Sequence, residues 1–260
     1  MRKYGFKIFN TNLQTAPALI GECAAFAADK NDMFAELMVL PHTSEADLQQ
    51  IRQHLDNIEV RIHAPHHMMG FDTGNKSKEK QNREILSAAQ RAADIFKAKT
   101  IVVHAGCGHD KENINETVRQ FKLFNDARIV VENLPFMDDH DNTLLQGNMA
   151  AEIKYIMDEV GCGFCLDFSH AICAALSLNI DIERQLQDFY ALRPSVYHLC
   201  DGDITQPADV HWHYGEGNYP LKHFLHDLTA SDAYITMETG YGVPQHNDLW
   251  VKDYNYLKSL

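Results

Sequence analysis

Eight short apolar runs, separated by segments long enough for a helix, constrain the fold of this chain more than any other feature. They span Lys7 to Asn10 (after Gly5 and Phe6), Phe34 to Leu40, Val60 to His63, Thr100 to His104, Arg128 to Asn133, Gly163 to Asp167, Ser195 to His198 and Ala233 to Glu238. Between them, Pro17 to Lys30 carries Leu19, Cys23 and Phe26 at helical spacing. Ser44 stands where it caps a helix bearing Leu48, Ile51 and Leu55, and Lys78 to Phe96 gathers Ile85, Leu86, Ala89, Ala92 and Phe96 on one face. Further helices are expected over Asn113 to Phe124, over Thr143 to Val160 with Gly161 as the stop, and through Ala171 to Leu192. A strand and helix repeated eight times predicts an α/β fold of the (β/α)8 barrel type. With 260 residues and no compositional break, the expectation is a single domain over residues 1–260.

The ends of these runs point to chemistry. In order they present His63, His104, Glu132 with Asn133, Asp167 with His170 three residues on, His198, and Glu238, while Asp209 and His211 fall in the seventh loop. A lone strand-end Asp or His is explained by helix capping or solvation. Six strands in succession ending on metal-ligating types, at the end where barrels bind ligands, favour a metal cluster. Nine donors exceed the four or so that one zinc takes, but suit two or three ions when a carboxylate bridges. Such a cluster generates hydroxide at neutral pH and polarises a phosphoryl or carbonyl oxygen. The expected cofactor is zinc, up to three ions, with manganese or magnesium as alternatives.

The net charge of -13 argues against broad attraction to polyphosphate, although bound cations offset it locally. Six cysteines do not make a disulfide scaffold in a chain of this length, and the Cys162/Cys165 pair reads as structural. No run approaches a membrane span, and Met1 to Phe6 leads straight into a strand pattern, so a cytoplasmic protein with no membrane association is expected.

The stretches His63-Ala64-Pro65, Val103-His104-Ala105-Gly106, Val131-Glu132-Asn133, Leu166-Asp167-Phe168-Ser169-His170, Tyr197-His198-Leu199, Asp209-Val210-His211 with Gly215-Glu216-Gly217-Asn218, and Met237-Glu238-Thr239 occur in this order. Together they resemble the endonuclease IV family of apurinic/apyrimidinic endonucleases, within the wider xylose-isomerase-like barrel superfamily. All nine metal-ligand positions of that family are filled by matching types. The resemblance implies one zinc on His63, His104 and Glu132. It implies a second on Glu132, Asp167, His198 and Glu238, with Glu132 bridging, and a third on His170, Asp209 and His211. It also implies a metal-bridged hydroxide attacking a phosphodiester, as at abasic sites during DNA repair, with Glu132, Asp167 and Glu238 as catalytic residues and Glu238 helping to position the water. His66, His213 and Asn133 are candidate substrate-binding residues.

The departures lie in the loops. That family reads damaged DNA with basic and aromatic residues, but the second loop here is only Pro41 to Ser44. The third offers His66, His67, Met68, Met69 and Phe71, and the fifth is acidic over Met137 to Asp141. Lys76, Lys78, Lys80 and Arg83 read either as a small basic patch or as a solvated helix start. The runner-up is a sugar or sugar-phosphate isomerase or epimerase of the same superfamily, holding one ion on Glu132, Asp167, His198 and Glu238 and taking a small sugar. That reading leaves His63, His104, Asp209 and His211 unexplained.

Overall fold

In the computed structural model, which describes residues 1–240 and 244–260, eight parallel strands close into a barrel in sequence order. They are β1 (Lys3–Phe9), β2 (Met33–Met38), β3 (Glu59–His63), β4 (Ile101–His104), β5 (Ile129–Glu132), β6 (Gly163–Asp167), β7 (Val196–Leu199) and β8 (Tyr234–Met237). Each is followed by at least one helix, and β8 pairs back onto β1 through Lys3 and Tyr234. This is the expected (β/α)8 architecture. No helix among the described residues is long and apolar enough to cross a membrane.

Because strand side chains alternate, each strand divides its residues between two environments. Ile101, Val103, Ile129, Val131, Leu166, Tyr197 and Ile235 join the helices in the large outer core. Val102, Val130, Cys165 and Val196 form a separate buried cluster, which is the barrel interior. Two residues further along the same strands stand His104, Glu132, Asp167 and His198. The polar residues therefore face inward one layer above an apolar floor, which excludes water from beneath them.

One helical expectation is corrected and another is resolved into two helices. The segment expected as a helix from Thr143 is helical only over Ala150–Val160. Before it, Gly147 takes a left-handed φ of 79°, and Leu144 and Leu145 bridge to Met137 and Cys107, so these residues fold back over the mouth side as a loop. The stretch through Leu192 divides into Phe168–Leu178 and Ile182–Tyr190, because Asn179 takes a left-handed φ of 54° and Asp181 caps the second helix on the Arg184 amide. Ser44 caps Glu45–His54 as expected, accepting from the Asp47 amide. All six cysteines are free thiols.

Gly5, on β1, is required by packing. A Cβ there would run into the ring of Phe34, which is fully buried. Gly5→Ala is expected to cost about 1–3 kcal/mol through overpacking, read as a lower urea midpoint at unchanged slope.

Candidate metal centre

The strand registers bring the inward residues together. His104 pairs with Glu132 and Asp167 with His198, while His63 pairs with Val102 and Glu132 with Cys165. The ladder thus steps up by two residues between β3 and β4 and again between β5 and β6, as the shear of a closed barrel demands. Glu132 ends at the centre of the mouth. Its Oε2 lies 3.2 Å from Nε2 of both His63 and His104, and its Oε1 lies 2.9 Å from Nδ1 of His198. His198 Nδ1 is also 3.0 Å from Glu238 Oε1.

The donor atoms of His63, His104 and Glu132 lie within 4.8 Å of one another, as do those of Glu132, Asp167, His198 and Glu238. A third group gathers on Asp209, whose Oδ2 is 3.2 Å from His170 Nε2 and 2.8 Å from His211 Nε2. Its sequence-distant members meet because Asp167 accepts from the His170 amide at 2.7 Å, capping the helix that carries His170. Asp167 therefore serves both as helix cap and as a carboxylate of the mouth.

Imidazole orientation shows whether these groups fit metal ions. His63, His170 and His211 each direct Nδ1 at a backbone carbonyl, of Ala64 at 2.7 Å, Asn133 at 2.9 Å and Glu238 at 2.8 Å. A donated Nδ1–H fixes the tautomer and leaves the Nε2 lone pair facing the shared carboxylate, which is the arrangement a metal-ligating imidazole needs. His198 is reversed. Its Nε2 faces Glu36 Oε2 at 3.1 Å and its Nδ1 faces Glu132 and Glu238. Lone pairs and carboxylate oxygens converging in three groups, above a dry floor, are a donor set suited to zinc or a similar borderline cation.

Burial and neighbouring charges shift these groups in opposite directions. Burial raises the cost of charge on Glu132, but His198 and His104 outweigh it and hold the carboxyl well below its usual range. Burial, assisted by Asp209, Glu238 and Glu132, pushes Asp167 up to about 7 against the pull of His170. Burial lowers His104 to about 4, whereas Asp209 overcomes burial at His211 and raises it to about 9.

Two participants escaped the sequence reading. Lys7 forms an ion pair with Glu238 and lies 4.0 Å from Glu36 Oε1. Glu36, fully buried on β2, accepts from Thr236 at 2.8 Å, and its Oε1 has no hydrogen-bond partner among the described residues. Each is a charged residue inside an otherwise apolar strand run, and a buried charge needs a partner. That was the available signal.

Of the candidate substrate-binding residues, only His66 lines the mouth cavity of about 500 Å³, stacked 5.5 Å from His104. Burial lowers it to about 2. Asn133 is fully buried, and its amide exchanges two hydrogen bonds with the Asp167 backbone, so it ties β5 to β6 instead of facing a ligand. His213 turns Nδ1 to Asp253 at 2.6 Å and lines a neighbouring cavity with Trp212 and Glu216.

A closed eight-stranded barrel with grouped carboxylates and imidazoles at the C-terminal mouth carries candidate metal-ligating groups at the end where barrels bind ligands. It belongs to the xylose isomerase-like TIM barrel family, whose sequence model matches residues 22–260. The probable endonuclease 4 of Mycobacterium ulcerans is 24% identical over 193 residues, covering 70% of this chain and 73% of that protein. Among solved structures, endonuclease IV from Thermus thermophilus superposes with a TM-score of 0.67 at 16% identity, over 99% of both chains. A D-tagatose 3-epimerase-like protein gives 0.66 at 17%, over 98% of this chain and 96% of the other.

Proposed function

We propose that this chain is a zinc-dependent phosphodiester hydrolase of the endonuclease IV type. The observation that carries the reading is the third group. His170, Asp209 and His211 converge beside the four-donor set, and His63 and His104 converge on Glu132 from the other side. A single-ion isomerase leaves five of these nine donors without a task.

Glu132 would be shared between the first two ions, Asp167, His198 and Glu238 would complete the second, and the third would rest on His170, Asp209 and His211. Such ions supply the Lewis acidity that polarises a phosphoryl oxygen and makes water nucleophilic at neutral pH. The residues do the positioning. Glu238 lines the cavity, where its carboxylate orients the attacking water and takes its proton. Water oxygen bonds to phosphorus, one ester P–O bond breaks, and the proton taken up by Glu238 passes to the released alcohol. Backbone carbonyls hold three imidazoles so that no reorganisation is needed during the reaction.

Elemental analysis of protein purified without added metal or chelator tests this directly. Two to three ions per chain, mainly zinc, with turnover of simple phosphodiesters, is the expected result. One ion, manganese or magnesium, with sugar isomerisation would overturn it in favour of the epimerase reading, which the likeness to the D-tagatose 3-epimerase-like protein supports. His211→Ala should remove one ion, retain the others and lower hydrolysis by about 10²–10³-fold, the usual cost of losing one charge-stabilising group. Simultaneous loss of all metal would contradict the three-group assignment.

A further inference from the structure

We infer that the substrate of this site is a small phosphoester whose alcohol portion carries hydroxyls, and not duplex DNA. The inference rests on the hydrolase reading and concerns what the mouth admits. A cavity of about 500 Å³ is in the range of small-ligand pockets. Its walls include the β3 loop, with His66, His67 and Met68, and the β5 loop, with Asp138 and Asp139. His67 Nε2 lies 3.1 Å from Asp138 Oδ2, so the two loops touch along the wall and narrow the approach.

The charge pattern opposes a nucleic-acid backbone, which is bound by lysine and arginine displacing counterions along a rim. Among the described residues lining the cavity, Lys7 is the one lysine or arginine, and it sits deep, beside Glu238. The basic stretch after the β3 loop does not help. Lys78 pairs with Asp72 at 3.7 Å, Lys80 with Glu84 at 4.0 Å and Arg83 with Glu79 at 3.1 Å, Lys76 lines a separate cavity with Lys111 and Arg119, and none of the four lines the mouth cavity. The outer wall instead presents Asp139, which is exposed, while the Asp138 carboxylate is already engaged by His67 and by the His140 and Asp141 amides. Carboxylates accept from hydroxyls and repel phosphates. Lys7, shared with Glu238 at the floor, and the Asp139 carboxylate at the rim therefore orient a molecule that is anionic at one end and hydroxylated at the other.

The test is titration calorimetry of the metal-loaded protein with glycerol phosphate and, separately, with a short duplex bearing an abasic-site analogue. Turnover of a 4-nitrophenyl diester of glycerol phosphate is compared with cleavage of an abasic duplex. Glycerol phosphate should bind. Lys7→Met at unchanged metal content should weaken that binding about tenfold, and Lys7→Arg should restore part of it, as expected for one charge-assisted contact. Asp139→Asn should raise KM for the glycerol diester roughly fivefold, the loss of one hydrogen bond to a charged group. The duplex should neither bind at physiological salt nor be cleaved at a comparable kcat/KM. Tight duplex binding with efficient abasic cleavage would overturn the inference while leaving the hydrolase reading intact, as would glycerol phosphate affinity indifferent to Lys7. No turnover of any phosphoester at two or more bound ions would defeat the hydrolase reading itself.

Discussion

Replacing Glu132 with Gln should lower the metal content of the mouth, by the ions that would share this carboxylate, and abolish hydrolysis in a single step. Glu132 is fully buried, and its two oxygens face three imidazoles, His63 and His104 from one side and His198 from the other. An amide keeps the shape and one acceptor, so the fold survives, but it carries no charge and cannot bridge two cations. Hydrolysis should fall by about 10³-fold or more, or roughly 4 kcal/mol of transition-state stabilisation at 1.36 kcal/mol per decade. Elemental analysis and steady-state rates on the same preparation check both halves. Retained activity with unchanged metal would defeat the shared-carboxylate arrangement.

The second large effect is on stability. Stripping metal leaves Glu36, Glu132, Asp167 and Glu238 crowded in a dry barrel mouth with Lys7 as the fixed cation among them. Ions that bind only the folded chain stabilise it by mass action, about 4 kcal/mol when free metal stands at roughly a thousand times Kd. At about 2–4 °C per kcal/mol for a chain approaching this size, chelation should lower Tm by roughly 8–16 °C, and restored zinc should recover it. An unchanged Tm after complete removal would show that the donor groups do not couple metal to folding.

Much of the site could be read from the letters because strand-end residues share an address in a barrel: once eight strands are counted, His63, His104, Glu132, Asp167, His198 and Glu238 must face one mouth. The placement of Asn133 and His213 outside the lining of the mouth cavity has a physical explanation. Asn133 follows Glu132 and so points to the other side of the strand end, where the Asp167 backbone claims it. His213 follows the third group by two residues, but the fold turns it to Asp253 on the last helix, Asp248–Ser259. The late start of the helix expected from Thr143 came from a left-handed glycine that apolar spacing alone does not reveal.

The sequence by itself determined the strand order, most of the helices and the identity of the strand-end donors, because side-chain alternation, capping and helical spacing act over a few residues. Only the tertiary structure decided which oxygen and nitrogen atoms face one another, and that Lys7 and Glu36 join the same cluster. Those relations depend on the register steps between neighbouring strands and on closure of β8 onto β1. They are set by packing around the whole ring, not by any stretch of chain.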